Sequence, residues 1–121
     1  MSKKILIVDD EPAMVEILKD TLEERGFMVI TGSNGIEAVK KIEEENPDLV
    51  LLDIMMPGMN GYEVCKKVKG KPDTKFLIVV LSAISEPDSI SKAKELGADE
   101  YLTKPYKPEQ LMATIDKLLK E

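Results

Sequence analysis

The chain has 121 residues, a formal net charge of −6 and no histidine. This length suits a single domain, which we place over residues 1–121, and the acidic balance argues against direct binding to nucleic acid, which requires a basic patch. The lack of histidine excludes Ser-His and Cys-His nucleophile pairs, most zinc enzymes and a phosphohistidine carrier, while a single cysteine, Cys65, excludes an internal disulfide.

The N-terminal apolar run, residues 5–8, is short and ends in acid. We therefore expect no signal peptide and a cytoplasmic address. No apolar run approaches the ~20 residues that a membrane span requires, so we expect no membrane insertion. The chain stops at Glu121, directly after its last predicted helix, so we expect no effector domain to follow; a stand-alone protein and an excised domain both remain open.

Strand patterns and helix patterns alternate along the whole chain. Short apolar runs predict strands at residues 4–8, 28–31, 49–52, 76–81 and 100–103. Apolar residues at intervals of three and four predict helices, with one stripe at Met14, Ile17, Leu18 and Leu22 and another at Leu111, Met112, Ile115, Leu118 and Leu119. Pro12 and Pro108 suit first-turn positions, and Gly26 and Gly97 follow the helices that precede the second and fifth strands.

Five strand–helix units in a row predict an α/β domain with a mostly parallel sheet and helices on both faces. The first, third and fourth strands are continuously apolar and should be central, whereas the second and fifth are more polar and should be edges. The order 2-1-3-4-5 satisfies this with right-handed crossovers. In that order the winding reverses between the first and third strands, and such sheets bind ligands at this point, beside the carboxyl ends of the strands.

Acidic residues stand at the ends of two of the central strands. Asp9 and Asp10 follow the first strand, and Asp53 follows the third. Like charges held close together repel unless they are neutralised, and a hard divalent cation with oxygen ligands is the favoured neutraliser. Asp9 and Asp10, with Glu11 before Pro12, could instead cap a helix, which we would prefer for that stretch alone. Asp53 favours the metal interpretation, because an acid after a buried strand serves no packing purpose.

The fourth and fifth strands end in further reactive groups. Ser82 follows the fourth strand and Lys104 follows the fifth, so four of the five strands bring a chemical group to one edge of the sheet. Two carboxylates could hold Mg²⁺, a third could attack phosphorus, a hydroxyl could donate to a phosphoryl oxygen, and an ammonium could offset the accumulated charge. Taken singly, Ser82 would be an ordinary hydroxyl before a helix, Lys104 a solvated charge and Tyr101 a half-buried edge aromatic.

The segment after Asp53 is rich in turn residues. Pro57 and Gly58 suit the central positions of a type II turn, and Asn60-Gly61 predicts a second reversal. Cys65, at helical spacing after this segment, predicts a core position.

Together these motifs resemble the response-regulator receiver domain of two-component signalling, in particular its single-domain, chemotaxis-regulator-like members. The resemblance covers essentially the whole chain and rests on residues 8–11, 52–61, 81–83, 97–99 and 104–105. It implies a flavodoxin-like (βα)5 three-layer sandwich with the strand order 2-1-3-4-5.

The resemblance implies that Asp53 accepts a phosphoryl group from a sensor histidine kinase or a phosphotransfer protein. It implies a Mg²⁺ ion, with Mn²⁺ as a substitute, bound by Asp10, Asp53 and the backbone carbonyl of Met55, and by Asp9 either directly or through water. Ser82 would form a hydrogen bond to the phosphoryl group, and Tyr101 would change rotamer in response.

The resemblance also implies that Lys104 pairs first with the acids and then with phosphate, and that the Lys104–Pro105 peptide bond is cis. The surface of the fourth helix, fifth strand and fifth helix would then switch and bind a downstream protein. Such a domain acts on itself and is not a turnover enzyme.

Three further positions refine these expectations. Family members differ at the positions of Met55 and Ile84, and because both are apolar here and cannot orient water, we predict slow self-dephosphorylation. Receivers of DNA-binding regulators often dimerise through a face that includes an arginine in the last helix. Thr114 occupies that place, so we expect a monomer or a weak dimer.

Three alternatives remain open. A phosphatase of the haloacid dehalogenase type would require a second acid where Met55 stands. A flavodoxin-like nucleotide or cobalamin module would require a glycine-rich first turn or a histidine, and neither is present. A receiver-like scaffold that is never phosphorylated is disfavoured by the intact acids and lysine.

Overall fold

The computed structural model describes residues 3–56, 58–69 and 75–119. Within these residues, five strands and five helices alternate along the chain. They are β1 (Lys4–Val8), α1 (Pro12–Glu24), β2 (Met28–Gly32), α2 (Gly35–Glu45), β3 (Leu49–Leu52), α3 (Gly61–Lys69), β4 (Leu77–Ser82), α4 (Pro87–Glu95), β5 (Glu100–Thr103) and α5 (Pro108–Leu118).

The five strands form one parallel sheet in the order β2-β1-β3-β4-β5, which confirms the predicted topology. The register aligns the carboxyl ends of the central strands, since Val8 at the end of β1 lies opposite Leu52 at the end of β3. Ser82 at the end of β4 lies opposite Thr103 at the end of β5. The residues that follow these strands therefore emerge at the same edge.

The sheet is buried on both faces, because successive side chains of a strand point to opposite sides. On β1, Leu6 and Val8 join a core formed with α2, α3 and α4, whereas Ile5 and Ile7 join a second core formed with α1 and α5. This arrangement confirms the three-layer prediction. No helix in the described part of the chain is long and apolar enough to cross a membrane.

Cys65 lies in the first of these cores, as predicted, and is almost fully buried. Burial raises the pKa of its thiol to about 11. Because the reactive form of cysteine is the thiolate, this residue is a packing residue and not a reactive one.

Two strands differ from the prediction in their bounds. β2 extends one residue further, through Gly32. β4 runs from Leu77 to Ser82 instead of over residues 76–81, because Ser82 still pairs with β5, whereas the carbonyl of Phe76 accepts a hydrogen bond from the Lys69 ammonium at 2.7 Å. Ser82 is thus the last residue of a strand and not the first after it.

The predicted apolar stripe of α1 was wrong at one position. Leu18 and Leu22 are buried and Met14 packs beside them, but Ile17 is 62% exposed. In a helix of 3.6 residues per turn, Ile17 is offset by about 100° from Leu18 and about 140° from Leu22, so it lies outside the buried face. It borders a groove between α1 and α5 instead.

The proline residues that begin helices and the glycine residues that follow them occupy the predicted positions. Pro12 and Pro108 are the first residues of α1 and α5. Gly26 (φ 92°) and Gly97 (φ 115°) follow α1 and α4 with positive φ, which glycine adopts without the steric penalty of a side chain.

The different burial of Leu22 and Ile17 in α1 predicts different effects of substitution on stability. Leu22→Ala removes a fully buried side chain and should lower the free energy of unfolding by about 2–5 kcal/mol. Ile17→Ala removes an exposed side chain and should cost less than about 1 kcal/mol. Urea denaturation monitored by circular dichroism measures both, and equal losses in the two variants would contradict the assigned burial.

Candidate functional site

Three carboxylates meet at the carboxyl ends of β1 and β3. The backbone N–H of Asp53 donates to the carbonyl of Val8 at 3.0 Å, and the N–H of Asp9 donates to the carbonyl of Gly32 at 3.3 Å, so hydrogen bonds between strands position both residues. One carboxylate oxygen each of Asp9, Asp10 and Asp53 lies within 4.8 Å of the others. The structure thus brings together the acids that the sequence placed at one edge.

The three acids differ in exposure. Asp9 and Asp53 are 4% and 6% exposed, whereas Asp10 is exposed to solvent. The cluster therefore has a buried side, at Asp9 and Asp53, and an open side, at Asp10. Oxygen ligands in this arrangement could hold a hard metal ion that enters from solvent.

Lys104 extends over the buried side of the cluster. Its Nζ lies 3.0 Å from Asp9 Oδ2, 3.5 Å from Asp53 Oδ2 and 3.8 Å from Glu11 Oε1. Its backbone N–H donates to the carbonyl of Ser82 at 2.8 Å, so the end of β4 positions this lysine. The ammonium group is the counter-ion of the acid cluster.

Opposing effects set the pKa of Lys104. Burial, the largest single effect, lowers it, but the hydrogen bond to Asp9 and the charges of Asp53, Asp9 and Glu11 together raise the pKa above its ordinary value of 10.5. Lys104 therefore stays charged at neutral pH.

The Asp53 carboxyl has a raised pKa, chiefly because burial disfavours its charged form. The charge of Asp9 adds to this increase, whereas Lys104 and the N–H of Met55, which donates to Asp53 Oδ1 at 3.2 Å, act in the opposite direction. The carboxylate is thus held in a poorly solvated place by its neighbours, where an added cation would stabilise it.

The helix-capping alternative explains little of this acid cluster. The N-cap residue of α1 is Glu11, and its side chain makes no capping hydrogen bond. Asp9 Oδ1 accepts a hydrogen bond from the Glu11 N–H at 3.0 Å, which closes the turn after β1. The buried Asp9 is therefore engaged by this turn and by Lys104 and does not act as a helix cap.

A chain of hydrogen bonds leads away from the site through the loop after β4. Ser82 is fully buried, and its Oγ accepts a hydrogen bond from the N–H of Ile84 at 3.2 Å. The Tyr101 hydroxyl donates to the carbonyl of Ile84 at 2.6 Å. Tyr101 is half-buried and packs against the core, so its edge-aromatic interpretation also holds. Ile84 joins the hydroxyl next to the site to the aromatic residue on β5.

The segment after β3 borders the open side of the cluster. Met55 is 62% exposed and lines a shallow groove with Asp10 and the half-buried Ile84. Gly58 has φ 76°, as the third position of a type II turn requires, while Pro57 lies outside the described residues. The Met55 carbonyl stays a prediction as a metal ligand.

Sequence reasoning misjudged the start of α3. Asn60 and Glu63 exchange two hydrogen bonds, with the Glu63 N–H donating to Asn60 Oδ1 at 3.0 Å and the Asn60 N–H donating to Glu63 Oε1 at 3.1 Å. This is a capping box, so the prediction of a second reversal at Asn60-Gly61 was wrong. An asparagine followed three residues later by a glutamate was the sequence pattern that could have predicted this capping box.

Gly61 is required for a reason that the sequence did not reveal. Its N–H donates to the carbonyl of Ile54 at 3.1 Å, and a Cβ atom at this position would lie 2.6 Å from the carbonyl oxygen of Asp53. Helix α3 therefore begins in direct contact with the backbone of Asp53. The Lys104–Pro105 peptide bond, on the other side of the site, is cis.

Comparison with known families gives a single result. The model of the family "Response regulator receiver domain" matches residues 5–116. The Alkaline phosphatase synthesis transcriptional regulatory protein PhoP of Bacillus subtilis (strain 168) is 45% identical over 120 residues, which are 99% of this chain and 50% of that protein. The chain spans about half the length of the curated relatives it matches.

Solved structures agree. A two-component response regulator from Clostridium difficile superposes with a TM-score of 0.93 at 35% identity, covering 99% of this chain and 98% of that one. The BeF3-activated N-terminal receiver domain of Klebsiella pneumoniae RstA superposes with a TM-score of 0.91 at 31% identity, covering 98% of this chain and 100% of that one.

The raised pKa of Asp53 predicts a pH-dependent stability. Between the ordinary carboxyl pKa of 3.8 and the higher folded value, the native state binds more protons than the unfolded chain, so stability falls as pH rises through this range. In metal-free buffer, Asp53→Asn should therefore be more stable to urea than the wild type near pH 7, and the difference should shrink below about pH 4.

Urea titrations across this pH range measure the effect, with Asp88→Asn as a control that removes the same charge from an exposed residue outside the acid cluster. Greater stability of the wild type near pH 7 would mean that pairing with Lys104 outweighs the burial of the carboxylate.

Proposed function

The chain belongs to the response regulator receiver domain family, and we propose that it is a phosphate-accepting switch with Asp53 as the acceptor. The observation that carries this proposal is the convergence of two further acids and Lys104 on the carboxylate of Asp53 at the carboxyl edge of the sheet. A carboxylate nucleophile needs no histidine in its own chain, because it is already ionised near neutral pH.

The proposed donor is the phosphohistidine of a sensor histidine kinase or a phosphotransfer protein. A carboxylate oxygen of Asp53 attacks the phosphorus, the new O–P bond forms as the P–N bond breaks, and the imidazole nitrogen keeps the electron pair. The product is an acyl phosphate on Asp53. Lys104 pairs with its negative oxygens, and Ser82 can donate its hydroxyl proton, since the bond from Ile84 uses Ser82 Oγ only as an acceptor.

The donor set fits Mg²⁺, with Mn²⁺ as a substitute. Oxygens bound to Mg²⁺ at 2.0–2.1 Å lie at most about 4.2 Å apart, so the three carboxylates need only small rotations. We assign direct contact to Asp10, Asp53 and the Met55 carbonyl, and a direct or water-mediated contact to Asp9, whose two carboxylate oxygens also bond Glu11 and Lys104. When bound, the ion would offset the charge of the transferred group.

We propose that the acyl phosphate changes the surface of α4, β5 and α5 through Ser82, Ile84 and Tyr101, and that a downstream protein binds the changed surface. The domain acts on itself at Asp53 and does not turn over a separate substrate. With a net charge of −6, its own contacts are with proteins and not with nucleic acid, and it is a monomer or a weak dimer.

Intact-mass analysis after incubation with Mg²⁺ and acetyl phosphate tests the proposal. We expect one added phosphoryl group on the wild type and none on Asp53→Ala. An unmodified wild type would favour the scaffold that is never phosphorylated, and an adduct that survives Asp53→Ala would place the acceptor elsewhere. Continuous release of phosphate over many turnovers would instead indicate a phosphatase.

The exposed acid of the cluster predicts a metal dependence. Asp10→Asn should weaken Mg²⁺ binding by about tenfold or more, equivalent to ~1.4 kcal/mol, and should remove most of the rise in melting temperature that Mg²⁺ gives the wild type. Glu11→Gln removes the same charge from the next residue, outside the carboxylate cluster, and should retain most of that rise. Equal losses in both variants would mean that only the overall charge of the region matters.

Met55 and Ile84, two apolar residues of the shallow groove, predict a long-lived acyl phosphate. Met55→Asn or Ile84→Glu introduces a group that can orient water, and either should speed phosphate loss by about tenfold, or ~1.4 kcal/mol of barrier. Decay of the phosphorylated mass measures the rate. Met28→Asn, an exposed methionine on β2, is the matched control and should decay as the wild type does. Unchanged or slower loss in both groove variants would refute the assignment.

A further inference from the structure

Helix α4 is held to the rest of the domain by few contacts. Of its nine residues, all of which the structure describes, Ala93 is the buried one, and its N-cap residue Glu86 makes no side-chain capping bond. Burial of apolar surface is the main force that fixes a helix on a sheet. The position of α4 therefore depends on a small number of additional contacts.

Two of these contacts come from one residue of α3. The Tyr62 hydroxyl lies 3.4 Å from the carbonyl oxygen of Ser89, where it can donate a hydrogen bond. The Lys92 ammonium lies 4.4 Å from the centroid of the Tyr62 ring, a cation–π geometry. Ser89 and Lys92 are three residues apart and thus share one face of α4.

Tyr62 is also linked through the backbone to the segment that carries the proposed acceptor, Asp53. It follows Gly61, whose N–H bonds the carbonyl of Ile54 and whose Cα lies directly against the backbone of Asp53. Tyr62 and Ile84 line the same groove. A shift in the segment that carries Asp53 would thus be passed directly to Tyr62.

The Tyr62 side chain lies close to the hydrogen-bonded pair of Ile84 and Tyr101. Tyr62 packs against the same core as both residues. Burial is the main reason for the raised pKa of the Tyr101 phenol, and the nearby Tyr62 hydroxyl adds to it. Tyr62 thus touches α4 from one side and borders the loop before α4 from the other.

We propose that Tyr62 is a positioning residue that couples Asp53 to α4. This inference rests on the proposed function, because it needs a chemical event at Asp53 to transmit. When the acceptor segment adjusts to a phosphoryl group, the Tyr62 ring carries Ser89 and Lys92 with it, and α4 moves as a unit. Without these contacts, the acceptor site would still bind the group, but α4 would respond less, through Ser82, Ile84 and Tyr101 alone.

The test compares two regions of the protein in one measurement. Wild type and variants, labelled with ¹⁵N, are titrated with beryllofluoride in the presence of Mg²⁺, and amide shifts are followed at residues 53–56 and 82–84 for the site and 88–95 for α4. In Tyr62→Leu we expect the site to respond as in the wild type but α4 to respond less. With beryllofluoride bound, the population ratio of shifted to unshifted α4 should be lower than in the wild type by about fivefold or more.

Single contacts are tested separately. Tyr62→Phe removes the hydroxyl and keeps the ring, and Lys92→Met removes the charge, so each should give part of the effect. Lys94→Met is the control on the same helix, at an exposed residue, and should leave the α4 response unchanged. These three variants also keep the test valid if Tyr62→Leu does not fold.

The outcomes separate the two proposals. A preserved site response with a reduced α4 response supports the coupling. A full α4 response in the Tyr62 variants overturns it, even if their melting temperatures fall, since lower stability alone is what a purely structural tyrosine would give. No response at residues 53–56 in the wild type would refute the proposed function itself, and the coupling with it.

Discussion

The contact between the Lys104 ammonium and the carboxylates of Asp9 and Asp53 is the interaction on which the rest of the site depends. Two nearly buried acids, with a third within 4.8 Å, would repel one another without a cation. Lys104 reduces this repulsion but does not remove it, because one ammonium faces three carboxylates among the described residues of the cluster. The site therefore retains an excess of negative charge that favours a divalent cation.

The order of the strands is what makes this contact feasible. Asp9, Asp53 and Lys104 are far apart in sequence and directly follow β1, β3 and β5, yet the parallel register brings them to a single edge. The backbone adds precision, since the N–H of Asp53 bonds the carbonyl of Val8 and the N–H of Lys104 bonds that of Ser82. Position in the sheet, and not local sequence, turns isolated charges into a site.

The sequence was sufficient to predict the topology and to place the acids, the lysine and the serine at one edge of the sheet, because continuous apolar strands and the residues at their ends can be recognised from the sequence alone. It was insufficient where a residue's role depends on another element. Ile17 matched the helical spacing but lies outside the buried face. Gly61 was predicted as a turn residue, but glycine is required there because α3 approaches the backbone of Asp53 closely. The hydrogen bonds of Ile84 had no signal in the sequence.

The placement of Met55 has an evolutionary consequence. Its two neighbours, Ile54 and Met56, are 3% and 8% exposed and belong to the core, whereas Met55 itself is 62% exposed beside the acid cluster. Substitutions at this one position meet solvent and the acid cluster but leave packing intact, so under the proposed function they would alter the lifetime of the acyl phosphate at little cost in folding stability. The timing of the proposed switch could thus change in evolution without a change in the stability of the fold.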